Sequence, residues 1–68
     1  MDAVVSAQRY RRVIAVNAKD ANAHFNLGLL LRRAKQTLDG DVEIRAAVKL
    51  DPSLAGKAHA QGISLPSG

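Results

Sequence analysis

The chain has no cysteine and no tryptophan, a single phenylalanine, a single tyrosine and two prolines. Without cysteine there are no disulfide staples and no thiolate metal site, so a domain of 68 residues must be held by packing alone. At this size only about 60% of the unfolded chain's surface is buried, which leaves little stability to spare. The shortage of aromatic rings excludes a stacking platform for single-stranded nucleic acid, where successive bases lie on successive rings. Long apolar runs are missing too. Nothing approaches the ~20 residues of a membrane span, and the first residues lack a secretory-signal pattern. A cytoplasmic protein without membrane contact is the expectation.

Groups that carry chemistry are equally sparse. His24 and His59, the two histidines, stand one residue off a common period and so fall on different helix faces. Zinc needs three or four converging ligands, and no local spacing provides them. Asp39-Gly40-Asp41 with Glu43 lacks the length and the remaining oxygens of a calcium loop, and reads as the acidic first turn of a helix. No serine has an obvious base and orienting acid, and no glycine-rich phosphate loop occurs. Enzymatic activity, a metal and a cofactor are not expected.

What the chain does have is alanine, leucine and arginine at helical spacing. Ala3, Ala7, Tyr10, Val13 and Ile14 form one apolar stripe, which predicts a helix over residues 2–17. Asp20 or Asn22 is placed to cap a second helix running to Arg33, where arginines suit the negative end of the dipole. A third helix is predicted from residues 38–40, capped by Thr37 or Asp39, to Leu50, where Asp51-Pro52 stops it. A shorter fourth helix covers Ser53 to Gly62, and residues 64–68 read as a disordered tail. Beta-branched residues are scattered and no alternating run is bounded by turns, so the class is all-α, one domain over residues 1–63.

The helices also repeat. Ala21–Gly28 corresponds to Ala55–Gly62, and Arg11–Asn17 to Arg45–Asp51, each 34 residues on. Self-similarity at such a period marks stacked helical hairpins. Within the central unit the pattern is His24-x2-Leu27-Gly28-x2-Leu31, then Gly40-x3-Ile44-x2-Ala47, then Asp51-Pro52. Two antiparallel helices approach closely only where a side chain is minimal, which gives Gly28 and Gly40 a packing role. Leu27, Leu31, Ile44 and Ala47 then fill the seam. A mid-helix glycine costs about 1 kcal/mol against alanine, so Gly28 requires such a reason.

This pattern resembles the tetratricopeptide repeat, a helix–turn–helix unit of an α-solenoid, with one complete unit flanked by two partial ones. The departures are His24 in place of a preferred tryptophan, Lys35 in place of a turn glycine, Thr37 in place of a tyrosine and Gln61 in place of a core leucine. The resemblance implies a non-enzymatic scaffold whose inner groove, lined by Asn22, Phe25, Asn26, Leu29, Arg32 and Arg33, binds a peptide. The amides would serve its backbone, the apolar pair its side chains and the arginines its carboxylates. Arrays of this kind generally need about three repeats, so the open helix edges imply a homodimer or membership of a longer array.

The net charge of +4 and a pI near 10.1 fit an acidic partner. They also leave open a small basic helical nucleic-acid binder using Arg9, Arg11, Arg12, Arg32 and Arg33. A third alternative is a truncated or engineered repeat with no partner of its own.

Overall fold

The computed structural model describes residues 3–63, with side chains from Val5 onward. Four helices follow one another: α1 (Ala3–Val16), α2 (Ala21–Arg33), α3 (Thr37–Leu50) and α4 (Leu54–Ala60). The all-α class is as expected, and no strand occurs among the described residues. The expected tail at 64–68 lies outside them.

Each boundary has a local cause. The α1 ladder closes with Asn17 N–H on the Val13 carbonyl at 2.8 Å, and Asn17 Oδ1 then accepts from Lys19 N–H at 3.2 Å to shape the turn. Asp20, not Asn22, caps α2: its Oδ1 accepts from Ala23 N–H at 3.1 Å, satisfying one of the free amides of the first turn. At the far end Gln36 N–H reaches the Leu31 carbonyl at 2.8 Å and Lys35 N–H the Arg32 carbonyl at 3.1 Å. These two bonds make a Schellman motif, with Lys35 in its left-handed position at φ 65°.

That turn corrects the predicted start of α3. The helix begins at Thr37, and its cap residue is Gln36, which makes no side-chain capping bond. Gln36 already closes α2, so the last residue of one helix end is also the first of the next. No position is left over for a Thr37 or Asp39 cap; Asp39 sits in the first turn, where its charge suits the dipole. Pro52 ends α3 as predicted. Asp51 leaves the helix at φ −139°, and its Oδ1 accepts from the Ser53 amide at 3.1 Å and hydroxyl at 2.7 Å.

Helix α4 is shorter than the predicted 53–62. Gly62 at φ 77° terminates it, through Gly62 N–H on the His59 carbonyl at 2.9 Å and Ile63 N–H on the Ala58 carbonyl at 3.0 Å. The reversal turns Ile63 inward until it is 2% exposed.

α2 is the middle layer. On one side Leu27 and Leu31 pack with Ala7, Tyr10 and Ile14 of α1. On the other, Phe25 joins Ile44 and Ala47 of α3, Leu54 and Ala58 of α4, and Ile63. The α2–α3 seam is the tightest contact. A Cβ added at Gly28 would lie 2.5 Å from Ile44 Cγ1 and 2.7 Å from the Gly40 carbonyl oxygen; one added at Gly40 would lie 2.6 Å from the Gly28 oxygen. The two glycines are therefore where the backbones meet, as their spacing predicted.

Candidate interaction cleft

Six α2 residues were expected to share one open face, and the structure divides them. Asn22, Asn26 and Arg33 are exposed, and Leu29 is half-buried. Phe25 is 6% exposed inside the α2–α3–α4 core and faces no groove. Arg32 is turned to α3, where its guanidinium pairs with the Asp41 carboxylate. The reason is angular: at 100° per residue, Phe25 and Arg32 lie on the Gly28 edge of the stripe, and that edge is covered by α3.

The remaining residues converge on a shallow cleft between α1 and α2. Asn26, Leu29 and Arg33 line it together with Tyr10 and Leu30, around a volume of about 150 Å³. Asn22 lies one helical turn from Asn26, outside this lining. Tyr10 and Leu30 were not anticipated. Tyr10 belongs to the apolar stripe of α1 and reads as core from its spacing, and its ring in fact both packs on the Leu27–Leu31 cluster and borders the cleft. Leu30 is hidden in sequence by its neighbours, since a run of three leucines points to three faces and does not say which is open.

Charge is segregated around this cleft. α1 and α2 carry five arginines (Arg9, Arg11, Arg12, Arg32, Arg33) and no acidic residue. The helical acids all lie on α3: Asp39 is exposed, Asp41 is paired with Arg32, and Glu43 is paired with His24. With Arg32 neutralised, four exposed arginines leave the α1–α2 side cationic.

His24 is a clasp. Its Nδ1 lies 2.7 Å from Glu43 Oε1 and its Nε2 2.9 Å from the Ala18 carbonyl oxygen, so α3 and the α1–α2 turn are both tied to α2. Both partners are acceptors, and only the imidazolium can donate to both. Burial favours the neutral ring. The Glu43 and Ala18 hydrogen bonds and the charges of Glu43 and Asp20 outweigh it, holding the pKa above the ordinary 6.5. This explains a histidine at the seam by structure rather than by ligation, and no cluster of metal-ligating side chains occurs among the described residues.

No helix among the described residues is long and apolar enough to cross a membrane. No family model, curated protein or solved structure matches the chain.

Proposed function

We propose that the chain is a non-enzymatic protein-interaction module, a tetratricopeptide-like helical repeat that takes an acidic peptide segment along the α1–α2 side. The observation that carries this reading is the cleft itself: Asn26, Leu29 and Arg33 of the expected groove converge with Tyr10 and Leu30 where no helical carboxylate is near. At about 150 Å³ the cleft is below the 300–1,000 Å³ of a small-molecule site and suits a single side chain of a longer ligand. Leu29, Leu30 and Tyr10 would hold an apolar side chain, the Asn26 amide the peptide backbone beside it, and Arg33 a carboxylate.

The repeat assignment is supported by the Gly28–Gly40 approach, the left-handed turn at Lys35 where the family prefers glycine, and the Pro52 stop. Val16, Leu38 and Val42, at 90%, 82% and 61% exposed, give the module open apolar edges on which a second copy or a further repeat would pack.

The test is fluorescence anisotropy with a labelled peptide of alternating leucine and glutamate, over a range of salt. Asn26→Ala and Arg33→Glu should each weaken binding several-fold while leaving the helical circular dichroism unchanged. A labelled oligonucleotide serves as the competitor class. If it binds tighter than the peptide, with log K falling by about 0.7–0.9 per neutralised phosphate against log salt, the peptide reading is wrong and the arginines contact nucleic acid.

A further inference from the structure

The 34-residue register assigns a second surface, on α1, which shares only Tyr10 with the α1–α2 cleft. Besides Asp41, which pairs with Arg32, α3 receives α2 on Gly40 at the backbone approach, Glu43 opposite His24, and Ile44 and Ala47 in the core with Phe25. One period earlier stand Ser6, Arg9, Tyr10 and Val13 of α1. These four line a groove of about 270 Å³ on α1. On α3 the last two positions, Ile44 and Ala47, are sealed at 0% exposure; on α1 Val13 is open at 42%, and Tyr10 is half-buried, with one side on the Leu27–Leu31 cluster. The groove therefore has the shape of a helix seat: a small residue at the approach point, a ring and a branched aliphatic along the seam, and a charged residue at the rim.

Charge selects what sits there. The rim residue on α3 is Glu43, which pairs with a histidine; its counterpart on α1 is Arg9, with Arg11 and Arg12 nearby in sequence and no acid anywhere on α1. A helix placed as α2 is placed would need a carboxylate where α2 has His24. A second copy supplies this poorly. α1, α2 and α4 contain no acid, and on α3 Asp41 and Glu43 are already paired, leaving Asp39 alone in the first turn.

We propose that α1 seats an amphipathic α-helix from an acidic partner protein, in the register in which α3 seats α2, with a carboxylate of that helix on Arg9. Small residues at the Ser6 crossing and an apolar side chain against Tyr10 and Val13 complete the contact.

The decisive experiment is a charge swap that uses the chain's own second helix as probe. Two capped peptides spanning residues 20–31 are titrated into the intact protein, one native and one carrying His24→Glu, with amide shifts followed by NMR. The His24→Glu peptide should perturb Ser6 to Val13 and bind about fivefold tighter than the native peptide, the scale of one exposed ion pair. In the Arg9→Glu protein, which recreates the Glu43 arrangement, the preference should reverse. Because Arg9 is exposed, this variant tests contact rather than folding. Shifts centred on α3, an unchanged preference in the Arg9→Glu protein, or no binding by either peptide would each overturn the proposal. So would a peptide-free dimer, seen by sedimentation, that Val13→Asp dissociates, since the occupant would then be a second copy.

Discussion

Replacing Gly28 with alanine should weaken the protein even though alanine is the better helix former. In the middle of a helix the exchange by itself gains about 1 kcal/mol. The added methyl, however, would stand 2.5 Å from Ile44 Cγ1, 2.7 Å from the Gly40 carbonyl oxygen and 3.2 Å from Ile44 Cδ1. Ile44 is 0% exposed and has no room to turn away, and the second obstacle is backbone, so the helices themselves must separate. Overpacking of this kind costs about 1–3 kcal/mol, and contact on two sides places it at the upper end.

The net loss is then about 2 kcal/mol, from a total that a 68-residue domain sets at roughly 3–10 kcal/mol. A fall in melting temperature of roughly 8–16 °C follows, together with a lower urea midpoint at an unchanged slope. Gly40→Ala should behave similarly, since its methyl would meet the Gly28 oxygen at 2.6 Å. The double variant should lose less than the two single losses combined, because helices already moved apart by one methyl accommodate the second. A Gly28→Ala protein as stable as the parent, or additive losses in the pair, would show that the seam is not a rigid backbone contact.

Four other outcomes follow from the same geometry. Lys35→Gly should raise stability by about 1 kcal/mol in a urea titration, because φ 65° strains an L-residue and is free to glycine; a neutral or destabilised variant would mean that the left-handed turn is wrong. Gly56→Ala should also stabilise, by up to about 1 kcal/mol, since an added Cβ there meets nothing within 4 Å and the residue lies inside α4. Phe25→Ala should remove about 3–5 kcal/mol, leaving the chain largely unfolded by circular dichroism, whereas a folded variant defective only in peptide binding would return Phe25 to the groove. Because His24 has its pKa raised above 6.5, the stability it contributes is fully present below about pH 6.5 and is lost as pH rises through the folded pKa; the urea midpoint should fall as pH is raised above 6.5, and in His24→Gln that fall should vanish.

The features legible in the sequence were those written in side chains. Asp20 is a cap by its chemistry, Pro52 a stop by its ring, and the spacing of Gly28 from Gly40 a seam by the absence of Cβ. The start of α3 was not legible, because the turn before it is closed by backbone amides of Lys35 and Gln36, which any residue but proline can supply. Nothing in a lysine announces a positive φ. Which residues of α2 are open was not legible for a different reason. Periodicity places Asn22, Phe25, Asn26, Leu29, Arg32 and Arg33 along one broad stripe, but how much of that stripe is open depends on how far α3 and α4 wrap around it. Their wrap is set by Ile44, Leu54 and Ile63, so Phe25 is decided by residues 19 or more positions away.

Gly28 and Gly62, 34 residues apart, show the same dependence. The residues before them differ, Leu27 in one case and Gln61 in the other. A glycine remains within a helix only when packing offsets its propensity penalty of about 1 kcal/mol. At Gly28 the offset is available: Leu27 is 2% exposed against α1, and Ile44 and Gly40 press from α3. At Gly62 a Cβ would touch nothing within 4 Å, and Gln61 is exposed, so the neighbourhood gives no reason to stay helical. The left-handed conformation is then the better use of the residue. It closes α4 and carries Ile63 into the core beside Leu54 and Ala58. The 34-residue spacing thus tells where a glycine stands, while the neighbouring helix decides whether it becomes a seam or a stop. By the same logic Ser6, which stands where Gly40 stands, would become part of a seam once a helix lies across α1.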